Sequence, residues 1–291
     1  MNNTSKSASG CPYVGEPTSL KPNDLTYNDY LQVPALLNLQ HPLSEPNHHD
    51  EMLFIIIHQA YELWFKLILH EMESAVEFMQ KGAVLRAHHL MSRIGAIMKL
   101  LVQQIHILET MTPADFLVFR DHLRPASGFQ SAQFREVEFL AGAKDEKYLE
   151  YFKNRPDMVD RLKARLAGPD IRSSYYGLLK RLGYGIPDQA DLLEDQNSAD
   201  AKLAIVEGLL PIYQRPSDQL PVYLLSESLV DFDQYLALWR EHHLRVVERV
   251  IGSKPGTGGS EGVAYLRSTT VKKCFPLLWQ VRSHLGETKQ V

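Results

Sequence analysis

The fold of this chain is decided by residues 49–80, which read HDEMLFIIIHQAYELWFKLILHEMESAVEFMQ. The segment contains no glycine or proline, and Asp50 and Glu51 fall in its first turn, where the helix dipole favours negative charge. Through residues 52–69 apolar side chains surround the helix almost completely, which is typical of a helix buried on most sides. We therefore predict a long core helix over residues 49–80 that ends near Gly82.

Helical periodicity dominates the rest of the chain, and strand signals are scarce. Caps and breakers give the approximate bounds of the helices. In chain order, the predicted helices cover residues 49–80, 84–109, 113–124, 132–142, 147–152, 157–166, 173–182, 199–210, 226–251 and 263–284. Three prolines, at positions 211, 216 and 221, are expected to break the connector 188–221.

The domain organisation follows from where this periodicity begins. Residues 1–21 carry Ser, Thr, Gly and Pro without a period, so we predict a mobile N-terminal arm. Residues 22–291 are predicted to form a single all-α domain of the helical bundle type.

Composition narrows the classes of function. The chain has 291 residues, 44% hydrophobic and 23% charged, as in soluble globular proteins with a sizeable core. Its formal charge of −4 gives no electrostatic basis for nucleic-acid binding. The first ten residues are polar, the apolar run Met52–Ile57 is too short to cross a bilayer, and Cys11 and Cys274 are the only cysteines. We expect a cytoplasmic protein that has neither nucleic acid nor membrane as a partner.

Two histidines lie on apolar helical stripes, where an imidazole needs a partner. His58 follows four apolar residues, 54–57, in the predicted core helix, and His243 lies one turn after Trp239. A neutral histidine on an apolar wall is typical of a metal ligand. The alternative is a packed core histidine, for His58 one that hydrogen-bonds Glu62 or a backbone carbonyl. The two histidines by themselves leave both readings open.

Arg120 is the third candidate functional residue. It shares one face of the short helix after Pro113 with Phe116 and Phe119. A guanidinium among phenylalanines needs an anion, and its planar fork matches a carboxylate in a bidentate manner. The alternative partner is an Asp or Glu of the same chain.

The loop GTGGSEG, residues 256–262, matches neither the P-loop nor the dinucleotide-binding pattern. A loop so rich in glycine could close over a ligand and offer backbone N–H groups and the Thr257 hydroxyl. A plain linker between helices is the alternative.

In combination, these signals indicate one pocket with an iron-ligating histidine, a second polar group, an anion clamp and a closing loop. A single histidine ligand among apolar side chains suits haem, because the porphyrin supplies four ligands and needs apolar walls. The residues alone therefore indicate a helical haem protein, or a haem enzyme for a small ligand that carries a carboxylate.

Longer motifs in these regions carry a resemblance to a known family. In chain order they are LTYxxYL at 25–31, HHDEMLFIIIHQ at 48–59 with ELWFK at 62–66, FR at 119–120 with PASGFQS at 125–131, WRxxH at 239–243 and GTGGS at 256–260. With these motifs the chain resembles the tryptophan 2,3-dioxygenase family from about residue 27 to residue 285. The resemblance implies a bundle-type haem dioxygenase fold and cleavage of the indole C2–C3 bond of L-tryptophan by O2. The product would be N-formyl-L-kynurenine, in the first step of the kynurenine pathway.

The resemblance also implies roles for individual residues. One haem b per subunit would be bound non-covalently, with His243 as the axial iron ligand. His58 would be the catalytic residue on the distal side, where it hydrogen-bonds the indole N–H without having to act as an obligatory base. Arg120 would bind the substrate carboxylate, and Thr257 the carboxylate and ammonium groups. The remaining substrate-binding residues are expected to be Phe54, Ile55, Ile56, Ile57, Phe116, Leu123 and Ser127, together with Tyr27, Tyr30 and Leu31 from an adjacent subunit of a homotetramer with exchanged N-terminal segments.

Two departures from the family pattern and three alternative functions remain. Phe116 stands where some relatives have a tyrosine that assists the carboxylate, and Glu261 stands where a serine is common. One alternative is a haem oxygenase of the same fold that acts on a substituted indole. Relatives of that kind attach haem through an HxxxC pattern, whereas His243 is followed by LRVV. The second is a haem-binding sensor without turnover, which would need no clamp for an amino acid. The third is a helical scaffold with no cofactor, which a colourless purified protein would indicate.

Overall fold

The structure of the chain is a computed structural model that describes residues 21, 23–195, 198–258 and 262–286. The chain divides into two compact units, residues 1–41 and residues 42–291. The predicted arm, residues 1–21, lies outside the described residues except for Lys21, and the predicted boundary between arm and catalytic domain stays a prediction.

The first unit contains two short helices, α1 (Tyr27–Leu31) and α2 (Val33–Leu36). Thr26 caps α1 in a reciprocal manner: its hydroxyl accepts from the Asp29 N–H, and the Asp29 carboxylate accepts from the Thr26 N–H. Neither helix has a buried residue. The apolar side chains of these two helices therefore lie at the surface among the described residues.

The second unit consists of helices joined by short turns. They are α3 (His49–Gln80), α4 (Val84–Leu108), α5 (Pro113–Arg120), α6 (Ala132–Ala141), α7 (Pro156–Ala167), α8 (Ile171–Arg181), α9 (Ala190–Asp195), α10 (Ala199–Gln214), α11 (Leu220–Ile251), α12 (Val263–Thr269) and α13 (Pro276–Gln280). Short 3-10 helices occupy Asp121–Leu123, Gly128–Gln130, Glu146–Phe152 and Val281–His284. No strand occurs in the described part of the chain, and the all-α prediction is confirmed.

The core helix α3 has the bounds expected from its sequence. The His48 Nδ1 accepts a hydrogen bond from the Asp50 N–H at its start, and Gly82, at φ 74°, follows its end. The helix packs against α4, α6 and α8 and buries Ile68 and Met72 completely. By length and composition α3 could also cross a membrane, a test that the core helix of a soluble protein passes as well.

The long helices α4 and α11 form the most extensive helix pair of the second unit. α4 also packs on α3, and the Tyr61 hydroxyl of α3 donates to the Leu101 carbonyl of α4 at 2.9 Å. On α11, Leu229, Phe232 and Leu236 are fully buried. Helices α3, α4 and α11 therefore make the rigid frame that positions the candidate site.

The expectation that prolines break the connector 188–221 is wrong at Pro211 and at Pro221. Helix α10 runs through Pro211 to Gln214, and the connector contains the additional helix α9. An internal proline costs about 3 kcal/mol, but Leu209 and Ile212 are fully buried on either side of it, and their packing offsets that cost. Pro221 lies in the first turn of α11, where a backbone N–H has no partner inside the helix, so proline is tolerated there. Helix α11 therefore begins at Leu220, earlier than predicted.

The predicted final helix over residues 263–284 is also wrong, because it is interrupted. The Asp233 carboxylate of α11 accepts hydrogen bonds from the backbone N–H groups of Cys274 and Phe275, at 2.8 and 3.1 Å, and from the Trp279 Nε1 at 3.0 Å. Phe275 also precedes Pro276, which disfavours helical backbone angles. The buried carboxylate therefore fixes a turn between α12 and α13.

Candidate active site

A cavity of about 260 Å³ lies among α3, α4, α5, α6 and α11, and residues of α12 together with Gly256, Thr257 and Gly262 also line it. Its walls are mainly apolar and aromatic, with a few polar side chains that face inward. The apolar residues include Phe54, Tyr61, Phe65, Ile105, Leu108, Phe116, Phe129, Phe134, Trp239, Val246 and Val250. An apolar cavity with few converging polar groups is the usual form of a ligand or cofactor site.

His243 projects from α11 into this cavity. Its ring stacks on Trp239, with centroids 5.2 Å apart and an interplanar angle of 23°. Burial, and to a lesser degree the positive charge that His58 can carry, lowers the pKa of His243 to about 4. The lowered pKa makes His243 a neutral imidazole, and no described residue forms a hydrogen bond with its ring, so a nitrogen lone pair is available to a metal ion.

His58 lines the same cavity from α3. Its Nδ1 lies 2.7 Å from the Phe54 carbonyl oxygen, which can only accept, so Nδ1 carries the proton and donates. Burial lowers the pKa of His58, although the Phe54 carbonyl and Glu62 oppose this effect. The neutral ring therefore has its Nε2 lone pair available as a hydrogen-bond acceptor in an apolar site.

Arg120, the last residue of α5, is 6% exposed and reaches the cavity beside Phe116. Its Nη2 donates to the Pro255 carbonyl at 2.5 Å, while its buried Nε has no partner among the described residues. The nearest carboxylate in the described part of the chain is Asp121, 3.9 Å from Nη1 and largely exposed, so this pair contributes little. The guanidinium thus keeps charge and donors for an anion that enters the cavity.

The described start of the glycine loop, residues 256–258, lies directly against the segment that follows α5. The Thr257 hydroxyl donates to the Ala126 carbonyl at 2.6 Å, and both Thr257 and Ser127 line the cavity. A Cβ at Gly258 would stand 2.7 Å from the Ser127 Cβ, closer than packed atoms approach. Glycine at position 258 therefore allows the loop to close on Ser127 over the cavity.

Comparison with known proteins identifies the family. A family model described as tryptophan 2,3-dioxygenase matches residues 17–174 and 199–285. This chain belongs to the tryptophan 2,3-dioxygenase family. Proteins named tryptophan 2,3-dioxygenase from Nocardioides sp., Herpetosiphon aurantiacus and Caulobacter vibrioides are 46%, 44% and 43% identical to it. Each alignment covers 90% of this chain, and 95%, 98% and 99% of the respective relative.

The structure brings together seven residues that the sequence marked as site residues of a tryptophan 2,3-dioxygenase. They share one cavity and are Phe54, His58, Phe116, Arg120, Ser127, His243 and Thr257. Because these residues line one cavity, they lie close enough together to form one site. The role of each residue stays a prediction.

The remaining predicted site residues lie elsewhere. Ile57 is buried in the main core, Ile56 is about half exposed, and neither they nor Ile55 and Leu123 belong to the cavity wall. Three more, Tyr27, Tyr30 and Leu31, belong to the first unit and are exposed. Their predicted contacts with substrate stay predictions. Glu261, the second departure from the family pattern, lies outside the described residues.

A buried ionic cluster at the cavity was missed at the sequence level. The Glu138 carboxylate of α6 accepts from Arg135 Nη1 and from Arg240 Nη2, both at 2.5 Å. All three residues line the cavity and are at most 5% exposed. Two guanidiniums against one carboxylate leave a positive surplus there. The spacing of Arg135 and Glu138 could have revealed their pair, but the contact from α6 to Arg240 needs the tertiary structure.

Proposed function

We propose that this chain cleaves the C2–C3 bond of the indole ring of L-tryptophan with O2 and forms N-formyl-L-kynurenine, the first step of tryptophan catabolism by the kynurenine pathway. Family membership and the names of relatives 40–46% identical to the chain support this activity. The observation that carries the proposal is the common cavity of two neutral imidazoles, His58 and His243, and the buried guanidinium of Arg120. Both atoms of O2 enter the product, so the overall reaction consumes no reductant.

The cavity residues fit a non-covalently bound haem b, one per subunit. His243 would hold the haem iron, because its ring is neutral, faces the cavity and has no described hydrogen-bond partner. The positive surplus at Arg135 and Arg240, and the buried Arg135 Nε without a partner, would hold the propionate groups. When bound, haem iron in the ferrous state supplies the binding and activation of O2.

The chain's own residues would bind tryptophan at both ends. Arg120 pairs with the substrate carboxylate, and Thr257 adds a hydrogen bond to the carboxylate or ammonium group as the loop closes. At the other end, the His58 Nε2 accepts the indole N–H, because Nδ1 is committed to the Phe54 carbonyl. Recognition at both ends favours the amino acid over free indole and excludes water around the reacting carbon atoms.

We also propose a homotetramer in which the first unit reaches the pocket of an adjacent subunit. Tyr27 and Tyr30 on α1 are 74% and 73% exposed, an unusual position for large aromatic side chains. Coverage by another subunit would bury them, with Leu31, beside the substrate. We expect the assembly in the cytoplasm, where tryptophan is available.

The test is turnover by the purified, haem-loaded chain. The protein is reduced without oxygen and mixed with L-tryptophan and then with O2, and the absorbance of N-formylkynurenine is recorded. We expect product from L-tryptophan and little from tryptamine, which lacks the carboxylate that Arg120 would bind. Absence of formylkynurenine from protein with full haem occupancy would overturn the proposal. Equal turnover of tryptamine would contradict the predicted binding of the substrate carboxylate by Arg120.

A further inference from the structure

Three metal-ligating side chains meet on the outer face of the α4–α11 pair, away from the cavity. One ligand atom each of His106, Glu109 and His242 lies within 4.8 Å of the other two. His106 Nδ1 is 3.1 Å from the Glu109 Oε2, and the rings of His106 and His242 are 5.0 Å apart at 88°. We name these three residues the outer histidine cluster.

We propose that the outer histidine cluster binds a divalent transition-metal ion, and that Zn²⁺ fits it best. Two imidazoles and one carboxylate, with water as the fourth ligand, are a common zinc set. Calcium and magnesium prefer oxygen ligands and do not suit two histidines.

Hydrogen bonding within the cluster explains only part of its geometry. His106 of α4 and Glu109, the C-cap residue of α4, are three residues apart and form an ordinary surface pair that would exist without a metal. His242 forms no hydrogen bond with any described residue, yet it comes from a different helix and turns its ring toward His106. A shared cation explains why a histidine from α11 joins that pair.

The outer histidine cluster lies outside the cavity, but its residues are sequence neighbours of residues that line the cavity. Ile105, Leu108 and His243, each next in sequence to a member of the cluster, line the cavity. Successive residues of a helix point about 100° apart, so the cluster lies behind the wall that carries His243. The His106 and Glu109 side chains are 44% and 26% exposed, so an ion can enter from solvent without passing through the cavity.

A bound ion would hold α4 against α11 at the level of His243. α4 and its C-cap residue supply two ligands and α11 supplies the third, so separation of the two helices would break a metal–ligand bond. Because an ion that binds only the folded chain stabilises it, zinc should raise the melting temperature.

The test uses the 291-residue chain without a histidine tag, stripped of metal by a chelator that is then removed. Zinc is titrated by calorimetry, and bound zinc is counted after gel filtration. We expect one Zn²⁺ per chain and a higher melting temperature with zinc. His242→Ala and the nearly isosteric Glu109→Gln should each weaken zinc affinity on the order of 10-fold or more.

The matched control is His89→Ala, which removes an exposed histidine of α4 that contacts Arg93 outside the cluster. It should bind zinc as the unchanged chain does, and all variants should keep the same Soret band after haem loading. The proposal is overturned if the unchanged chain retains no zinc, or if Glu109→Gln and His242→Ala bind it as tightly as His89→Ala. Since zinc binding requires no turnover, these results do not depend on the proposed dioxygenase activity.

Discussion

Replacing Arg120 by alanine is the perturbation that most directly separates substrate binding from the rest of the site. The guanidinium is 6% exposed, and Asp121 at 3.9 Å is too exposed to neutralise it effectively. Loss of one partner of a buried charge pair lowers the free energy of binding by about 2–5 kcal/mol. One donor of Arg120 is already committed to the Pro255 carbonyl, and Thr257 remains available to the carboxylate, so we expect the lower part of this range.

A loss of about 2–3 kcal/mol corresponds to an increase in the KM for L-tryptophan of roughly 30- to 140-fold. Steady-state kinetics measure it, and the Soret band reports whether haem content is unchanged. The matched control is Arg124→Ala, because Arg124 is 54% exposed and pairs only with Asp121 at 3.2 Å among the described residues. An unchanged KM in Arg120→Ala, or the same increase in Arg124→Ala, would refute the clamp. Binding of tryptamine should be insensitive to both substitutions.

Three further outcomes follow from the same structure. His243→Ala should purify largely without haem, as measured by the ratio of Soret to protein absorbance; full occupancy with an unaltered Soret band would remove the axial role. Gly258→Ala should raise the KM for tryptophan several-fold at unchanged haem content, because its Cβ would stand 2.7 Å from that of Ser127; unaltered kinetics would mean that the loop need not close there. Glu51→Gln should lower the free energy of unfolding by about 1–3 kcal/mol at neutral pH, because its carboxylate accepts from Leu43 and Ser44 N–H groups at 2.7 and 3.0 Å. Burial opposes ionisation, but these bonds hold the pKa of Glu51 below 4.5, so its contribution exists above pH 4.5 and is lost as the pH falls through the lower folded-state value. Denaturant titrations should therefore show the difference between Glu51→Gln and the unchanged chain shrinking in acid, and a difference that stays constant with pH would contradict the role of the charge.

Local rules predicted the parts of the fold that depend on neighbours in sequence. The bounds of α3 follow from periodicity and capping, and they appear as expected. The errors occur where a distant residue decides. Pro211 is tolerated because its neighbours pack in the core, and the turn before Pro276 is held by Asp233, about forty residues away in sequence.

The candidate site shows the same division. His58, His243 and Arg120 could be found because a polar group on an apolar helix face is unusual in the sequence itself. The charge cluster around Glu138 could not, since Arg240 comes from α11 and only the packed structure brings it to α6. Helix pairing is likewise what adds His242 to His106 and Glu109.

The most direct test of the central claim is the fate of molecular oxygen in the reaction. The haem-loaded, reduced chain is given L-tryptophan and oxygen-18 gas, and the product is examined by mass spectrometry. The proposed activity requires N-formylkynurenine that carries both labelled oxygen atoms. A product with one label and an intact indole ring would indicate a monooxygenase, and unlabelled, unchanged tryptophan would contradict the dioxygenase function.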